Sequence, residues 1–76
     1  MDRTKYEIEL QRHAFIRAMQ RGVTPDMIEA TLKGGKIQSF GKNNLKFQME
    51  YKNLTVICVG EIVGVKIKIM TIETKR

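Results

Sequence analysis

From Lys36 onward the chain is a series of short apolar runs, two of them alternating, and the breaks between runs are only two to four residues long. A parallel crossover needs a connection of about a dozen residues or more, so runs joined this tightly can only be antiparallel neighbours. The runs are "KIQSF" (36–40), "LKFQMEY" (45–51), "LTVICV" (54–59) and "IVGVKIKIMTIET" (62–74), separated by "GKNN", "KN" and "GE". Phe47, Met49 and Tyr51 alternate with Lys46, Gln48 and Glu50. Val65, Ile67, Ile69 and Thr71 alternate with Lys66, Lys68, Met70 and Ile72. A period of two predicts four strands in a meander, one face packed and the other in solvent.

Ahead of Lys36 the period changes. Set at about 100° per residue, Leu10, Ala14 and Ala18 stack in one line, and Phe15 and Met19 widen it to a core-facing side. A helix is expected to begin near Glu9 to Gln11 and to end at Gly22, which is free to take the left-handed conformation. A second helix opens at Thr24, a good N-cap, with Pro25 in the first position and Asp26 at the positive end of the dipole. Val23 and Ile28 bracket that cap as a hydrophobic staple. Met27, Ile28, Thr31 and Leu32 form the apolar side, and Gly34 and Gly35 stop the helix. "YEIEL" alternates as a short N-terminal strand or an extended lead-in would. The expected fold is α+β: two N-terminal helices packed on a four-stranded antiparallel sheet, with or without that first strand. One domain should span 1–76, with its core from about 6 to 72 and polar ends that fray.

Fourteen Lys and Arg stand against eight Asp and Glu, a formal net charge of +6. Such an excess favours an anionic partner. Cys58 is the only cysteine, which excludes an internal disulfide and a thiolate zinc cluster. Inside "LTVICVG" it reads as a small buried hydrophobe. No apolar run approaches the about 18 residues of a membrane span, and the N-terminus lacks the apolar core of a secretory leader. The reading is a cytoplasmic protein without membrane contact. There is no phosphate-cradling glycine loop and no dinucleotide fingerprint. One histidine and scattered carboxylates give no metal site, so neither metal nor cofactor is expected.

The stretch "LQRHAFIRAMQRG" contains the only histidine. His13, Arg17 and Arg21 lie at i, i+4 and i+8, a second row beside the apolar stripe. Like charges one turn apart repel, and an anion laid across them would remove that cost. Guanidinium suits phosphate, and imidazole exchanges protons near neutrality, so the row could serve a phosphodiester. The same pattern is that of a solvated helix face, with Arg21 well placed at the negative end of the dipole. Lys66 and Lys68 share one strand face, and Lys46 lies on a neighbouring strand. A basic sheet face can hold a nucleic-acid backbone, and strand lysines equally protect a sheet from edge pairing. Phe47, Tyr51 and Phe15 are read as core, which leaves no aromatic platform for bases.

The joined pattern "RHAFIRAMQRGVTPDMIEATLKGG", followed by strands ending in "VKIKIMTI", resembles the family known as domain of unknown function 4258. The residues that carry the likeness are His13-Ala14, Arg21-Gly22-Val23, Thr24 and Thr71, and it covers about Tyr6 to Ile72. That resemblance implies small toxin-like ribonucleases of the barnase, EndoU, colicin and RelE type, similar to BrnT toxins. It implies metal-independent RNA cleavage and pairing with an antitoxin protein. His13 matches the helix histidine, Arg17 and Arg21 the basic positions of the same helix, and Thr71 the hydroxyl of the last strand. Lys46 is a weaker match to a basic strand position. In that scheme His13 transfers a proton to or from the ribose or the leaving oxygen. The arginines stabilise charge on the phosphate, Thr71 orients a phosphate oxygen or the imidazole, and a 2′,3′-cyclic phosphate is left. Glu50, Glu61 and Tyr51 are candidates for the second proton-transfer group. The expected partners are RNA and an antitoxin, with a weak homodimer allowed. The alternative is a non-catalytic RNA- or DNA-binding or protein-interaction module using the same basic row.

Overall fold

The first strand of the chain lies beside the last, and this pairing sets the architecture. The computed structural model describes residues 2–76. A 3-10 turn, Arg3–Lys5, leads into β1 (Glu7–Leu10), followed by α1 (Arg12–Gln20) and α2 (Pro25–Gly34). Then come β2 (Lys36–Phe40), β3 (Asn44–Glu50), β4 (Thr55–Val63) and β5 (Lys66–Lys75). The sheet order is β1-β5-β4-β3-β2. β2 to β5 run antiparallel in sequence, whereas β1 pairs parallel to β5, from Glu7 opposite Lys66 to Leu10 opposite Ile69.

The four-stranded antiparallel sheet expected from the sequence is therefore corrected to a five-stranded mixed sheet, within the same α+β class. The physical reason is the connection. Two helices intervene between β1 and the meander, which is ample chain for a strand to return parallel. Leu10 consequently belongs to β1 rather than to the helical stripe, and α1 begins at Arg12. Arg3 at one polar end is also held, donating through its guanidinium to the carbonyls of Leu32 and Gly35. Met1, at the same end, lies outside the described residues.

Both helices end and begin as their local chemistry dictates. After α1, the Gly22 amide donates to Met19 and the Val23 amide to Ala18, with Gly22 at φ 84°. These two bonds form a Schellman closure, which needs a left-handed residue at that point. Val23 beyond it is 1% exposed and joins the core. The Thr24 hydroxyl accepts from the Met27 amide at 3.2 Å and caps α2.

The strand links differ from the sequence reading at two places. Tyr51 to Leu54 form the link between β3 and β4, closed by the Tyr51 amide donating to the Leu54 carbonyl at 2.7 Å. "GE" is not a link at all. Gly60 and Glu61 lie inside β4, and the turn falls at Gly64–Val65, with Gly64 at φ 63°. A register shift sits between Val59 and Gly60: Val59 faces Thr71 while Gly60 faces Ile69, leaving Met70 as an extra residue in β5. Such a bulge inverts the alternation beyond it. Ile67, Ile69 and Ile72 are accordingly all buried, and Thr71 is exposed rather than grouped with Ile67 and Ile69.

The core lies between the helices and one sheet face. Ala14 and Ala18 from α1 and Ile28 and Leu32 from α2 meet Leu45, Phe47, Val56, Cys58, Ile67, Ile69 and Ile72. Among the described residues Thr31 is the one polar side chain buried with them; its hydroxyl donates to the Met27 carbonyl at 2.7 Å. Gly60 faces this core beside the bulge. A Cβ there would stand 2.9 Å from Ile69 Cδ1 and 3.0 Å from the Lys68 carbonyl oxygen. Gly60→Ala is expected to destabilise the fold by about 1–3 kcal/mol through overpacking. Urea unfolding should show a lower midpoint at an unchanged slope; an unaltered midpoint would contradict this packing.

Candidate nucleic-acid interface

α1 carries no carboxylate: the chain from Leu10 to Pro25 is free of Asp and Glu, and Arg12, His13, Arg17 and Arg21 all fall within it. With Ala14 and Ala18 buried against the sheet, His13, Arg17 and Arg21 are exposed along one flank. Gln11, the N-cap, makes no side-chain cap bond, and Arg12 and His13 occupy the first turn. Cations are disfavoured at that positive end of the helix. The helix is therefore charged against its own dipole at its start. Among the described residues the one ion pair is Lys33 with Glu29 at 2.7 Å, on α2. Arg21 does have a partner, donating from Nη1 to the Ile72 carbonyl oxygen at 3.0 Å. That contact is reachable because β1 pairs only as far as Ile69, which leaves this edge of β5 without a neighbouring strand beyond it.

Thr71 precedes Ile72 but points the other way. Ile72 faces the helices and is 2% exposed, whereas Thr71 is exposed on the helix-free face. The structure thus brings His13, Arg17 and Arg21 onto one helix flank and leaves Thr71 across the sheet from them. Lys46 is half-buried on the helix-free face, with Nζ 5.2 Å from the centre of the Phe40 ring. Lys66 lies opposite Glu7 in the register, and Lys68 lies between Glu9 and Glu61. These two lysines stand among carboxylates, so their share of the net charge is largely offset locally.

The candidates for a second proton-transfer group do not gather around His13. The Tyr51 hydroxyl donates to the Met27 carbonyl at 2.9 Å and lies 3.1 Å from the Thr31 hydroxyl, joining β3's end to α2. Glu61 sits in β4 opposite Lys68, and Glu50 ends β3. An apolar groove of about 280 Å³ opens between β1, α1 and α2, lined by Ile8, Leu10, Phe15, Ile28 and Leu32 among others. None of His13, Arg17, Arg21 or Thr71 lines it. Among the described residues no three His, Cys, Asp or Glu side chains converge. No helix there is long and apolar enough to cross a membrane.

Two residues of note escaped the sequence reading. Arg3 lies 5.7 Å from the centre of the Phe47 ring while its guanidinium donates to the Leu32 carbonyl near the end of α2 and to that of Gly35 just beyond it. Phe40 is 39% exposed on the helix-free face. Its parity with Lys36 and Gln38 in "KIQSF" was the available signal. No protein-family model, curated protein or solved structure matches the chain.

Cys58 is fully buried, and burial pushes its thiol up to about 12. The folded state therefore favours the protonated thiol. Its contribution is intact below the ordinary cysteine value near 9.0 and is lost as pH rises from there toward about 12. Between those limits this group alone should lower stability by about 1.4 kcal/mol per pH unit. Comparing urea unfolding of the wild type with Cys58→Ala between pH 9.0 and about 11 isolates it, the variant showing the shallower decline. Parallel pH profiles would contradict this assignment.

Proposed function

We propose that this protein binds single-stranded RNA through its phosphates, along the exposed flank of α1 formed by His13, Arg17 and Arg21. The observation that carries this reading is an acid-free helix on which Arg17 and Arg21 share one exposed flank with His13, with no side-chain counter-ion among the described residues. Bound phosphates would supply that counter-charge and relieve the repulsion between residues one turn apart. Phosphate contacts of this kind give affinity without reading sequence. Lys66 and Lys68 contribute less, since Glu7, Glu9 and Glu61 surround them. A cytoplasmic setting and an acidic antitoxin-like partner, competing for the same flank, belong to this proposal.

Cleavage is the second reading, favoured by one observation: the exposed imidazole of His13 stands one helical turn from Arg17. In it His13 moves a proton at the ribose 2′-oxygen or the leaving 5′-oxygen. Arg17 stabilises the charge that develops on the phosphate. Thr71 takes no direct part, because it lies on the other face of the sheet. The activity is that of a metal-independent, toxin-like ribonuclease, as the likeness of the His13 to Thr24 core suggests.

One titration in EDTA tests both readings. Fluorescence anisotropy with a labelled single-stranded RNA should give a logarithmic affinity that falls linearly with the logarithm of salt. Arg17→Ala should weaken binding and reduce the slope by about 0.7, the share of one phosphate contact on a single strand. An unchanged affinity and slope would remove α1 from the interface. Gel analysis of the same samples reads cleavage. His13→Ala should lose at least about tenfold in rate if His13 is the proton-transfer group. Binding without product leaves the non-catalytic module.

A further inference from the structure

The chain between Glu29 and Glu50 holds four lysines and no carboxylate. Most of this stretch is the β2–β3 hairpin at the edge of the sheet remote from β1. Strand alternation puts Lys36, Gln38 and Phe40 of β2 on the helix-free face. The register sets them opposite Gln48, Lys46 and Asn44 of β3. We propose that this face of the hairpin is a binding site for single-stranded nucleic acid, with a base stacked on Phe40 and phosphates held by Lys36, Lys42 and Lys46.

Four observations converge on that ligand. Phe40 exposes 39% of its surface although the core lies on the opposite face of the sheet. An exposed aromatic ring beside lysines offers a base a surface that any nucleobase can use, whatever the sequence. Lys46 Nζ sits 5.2 Å from the ring centre, so its ammonium can swing from the ring to the phosphate next to a stacked base. Gln38, Asn44 and Gln48 supply amides that both donate and accept, which suits the edges of unpaired bases. The platform is also fixed in place. Gly41 turns the chain at φ 65°, and the Asn43 carbonyl accepts from the Ile62 amide of β4 at 2.7 Å.

Lysines alone could be explained as edge protection. An exposed phenyl ring on an edge strand works against that purpose, because it adds apolar surface to the edge. The carboxylates nearest in the register are Glu61, beyond Asn44, and Glu50, at the end of β3. Neither stands opposite Phe40 or Lys46. A duplex keeps its bases stacked on one another, so the site selects unpaired strands. The inference shares its ligand class with the α1 reading but not its residues: α1 packs on β5, and β2 is the far strand of the sheet.

The chain contains no tryptophan, so Phe40→Trp gives a single indole reporter on this face. Titration with oligouridine should quench its emission saturably, and the affinity should match or exceed that of the wild type. Phe40→Ala should bind about five- to a hundredfold more weakly, the usual loss of one base–aromatic stack. Arg17→Ala made in the Phe40→Trp background should keep the quench. Loss of the Arg17 effect alone would count against α1 and leave this site standing. The proposal is overturned if Phe40→Ala binds oligouridine as the wild type does. It is equally overturned if the indole is not quenched while anisotropy reports binding, or if a duplex of equal length quenches as well as the single strand.

Discussion

β5 is paired on both sides, and the rest of the structure depends on it. On one side it takes β4 along nearly its whole length; on the other it takes the four residues of β1 in parallel. The Gln11 amide donates to the Ile69 carbonyl at 3.1 Å, carrying the contact one residue past the strand before α1 turns over the sheet. The extra residue at Met70 then returns Ile72 to the core, so Ile67, Ile69 and Ile72 all face α1 and α2. Arg21 reaches back to the Ile72 carbonyl and fastens the end of α1 to the same strand. Without the bulge, Ile72 would point into solvent and the edge beyond Ile69 would lose its hydrophobic backing.

The parts of this fold that were legible in the sequence are those fixed by neighbours in the chain. Gly22, Thr24 and Pro25 act within one turn, so the break between the helices could be read directly. The β2 strand matched its predicted limits because a glycine and a turn-rich "GKNN" bound it. The parallel pairing was illegible because four residues of alternating pattern carry no mark of their partner. The bulge was hidden for a related reason: one extra residue leaves an apolar run looking continuous. Gly60 read as a turn, yet its role is to let Ile69 and the Lys68 carbonyl approach closely. The helical row of His13, Arg17 and Arg21 was legible from spacing alone. The side of the sheet on which Thr71 lies was not, since it depends on the bulge. Phe40 shares parity with Lys36 and Gln38, but which face that is depends on the register with β3.

The net charge of +6 is also unevenly spread. Where β1 meets β5, glutamates and lysines face each other in the register, so opposite charges lie close together there. The positive charge without nearby carboxylates is concentrated at two places, the flank of α1 and the β2–β3 hairpin. These stand toward opposite edges of the sheet, and on opposite faces of it. A polyanion touching both would have to pass round an edge, which favours a flexible single strand over a stiff duplex.

The order of the strands has a consequence for how the chain is made. β5 lies between β1 and β4 in space but is the last strand in sequence. During synthesis β1 and both helices emerge long before the surface they must cover exists. They wait with Ile8, Leu10, Ala14 and Ala18 unprotected until β5 leaves the ribosome. Only then does the long-range contact from Glu7 to Lys66 close the sheet, a step that must meet its loop-closure cost before it is rewarded. The fold therefore cannot close before β5 has been made, and nascent chains stalled short of β5 are its most aggregation-prone form.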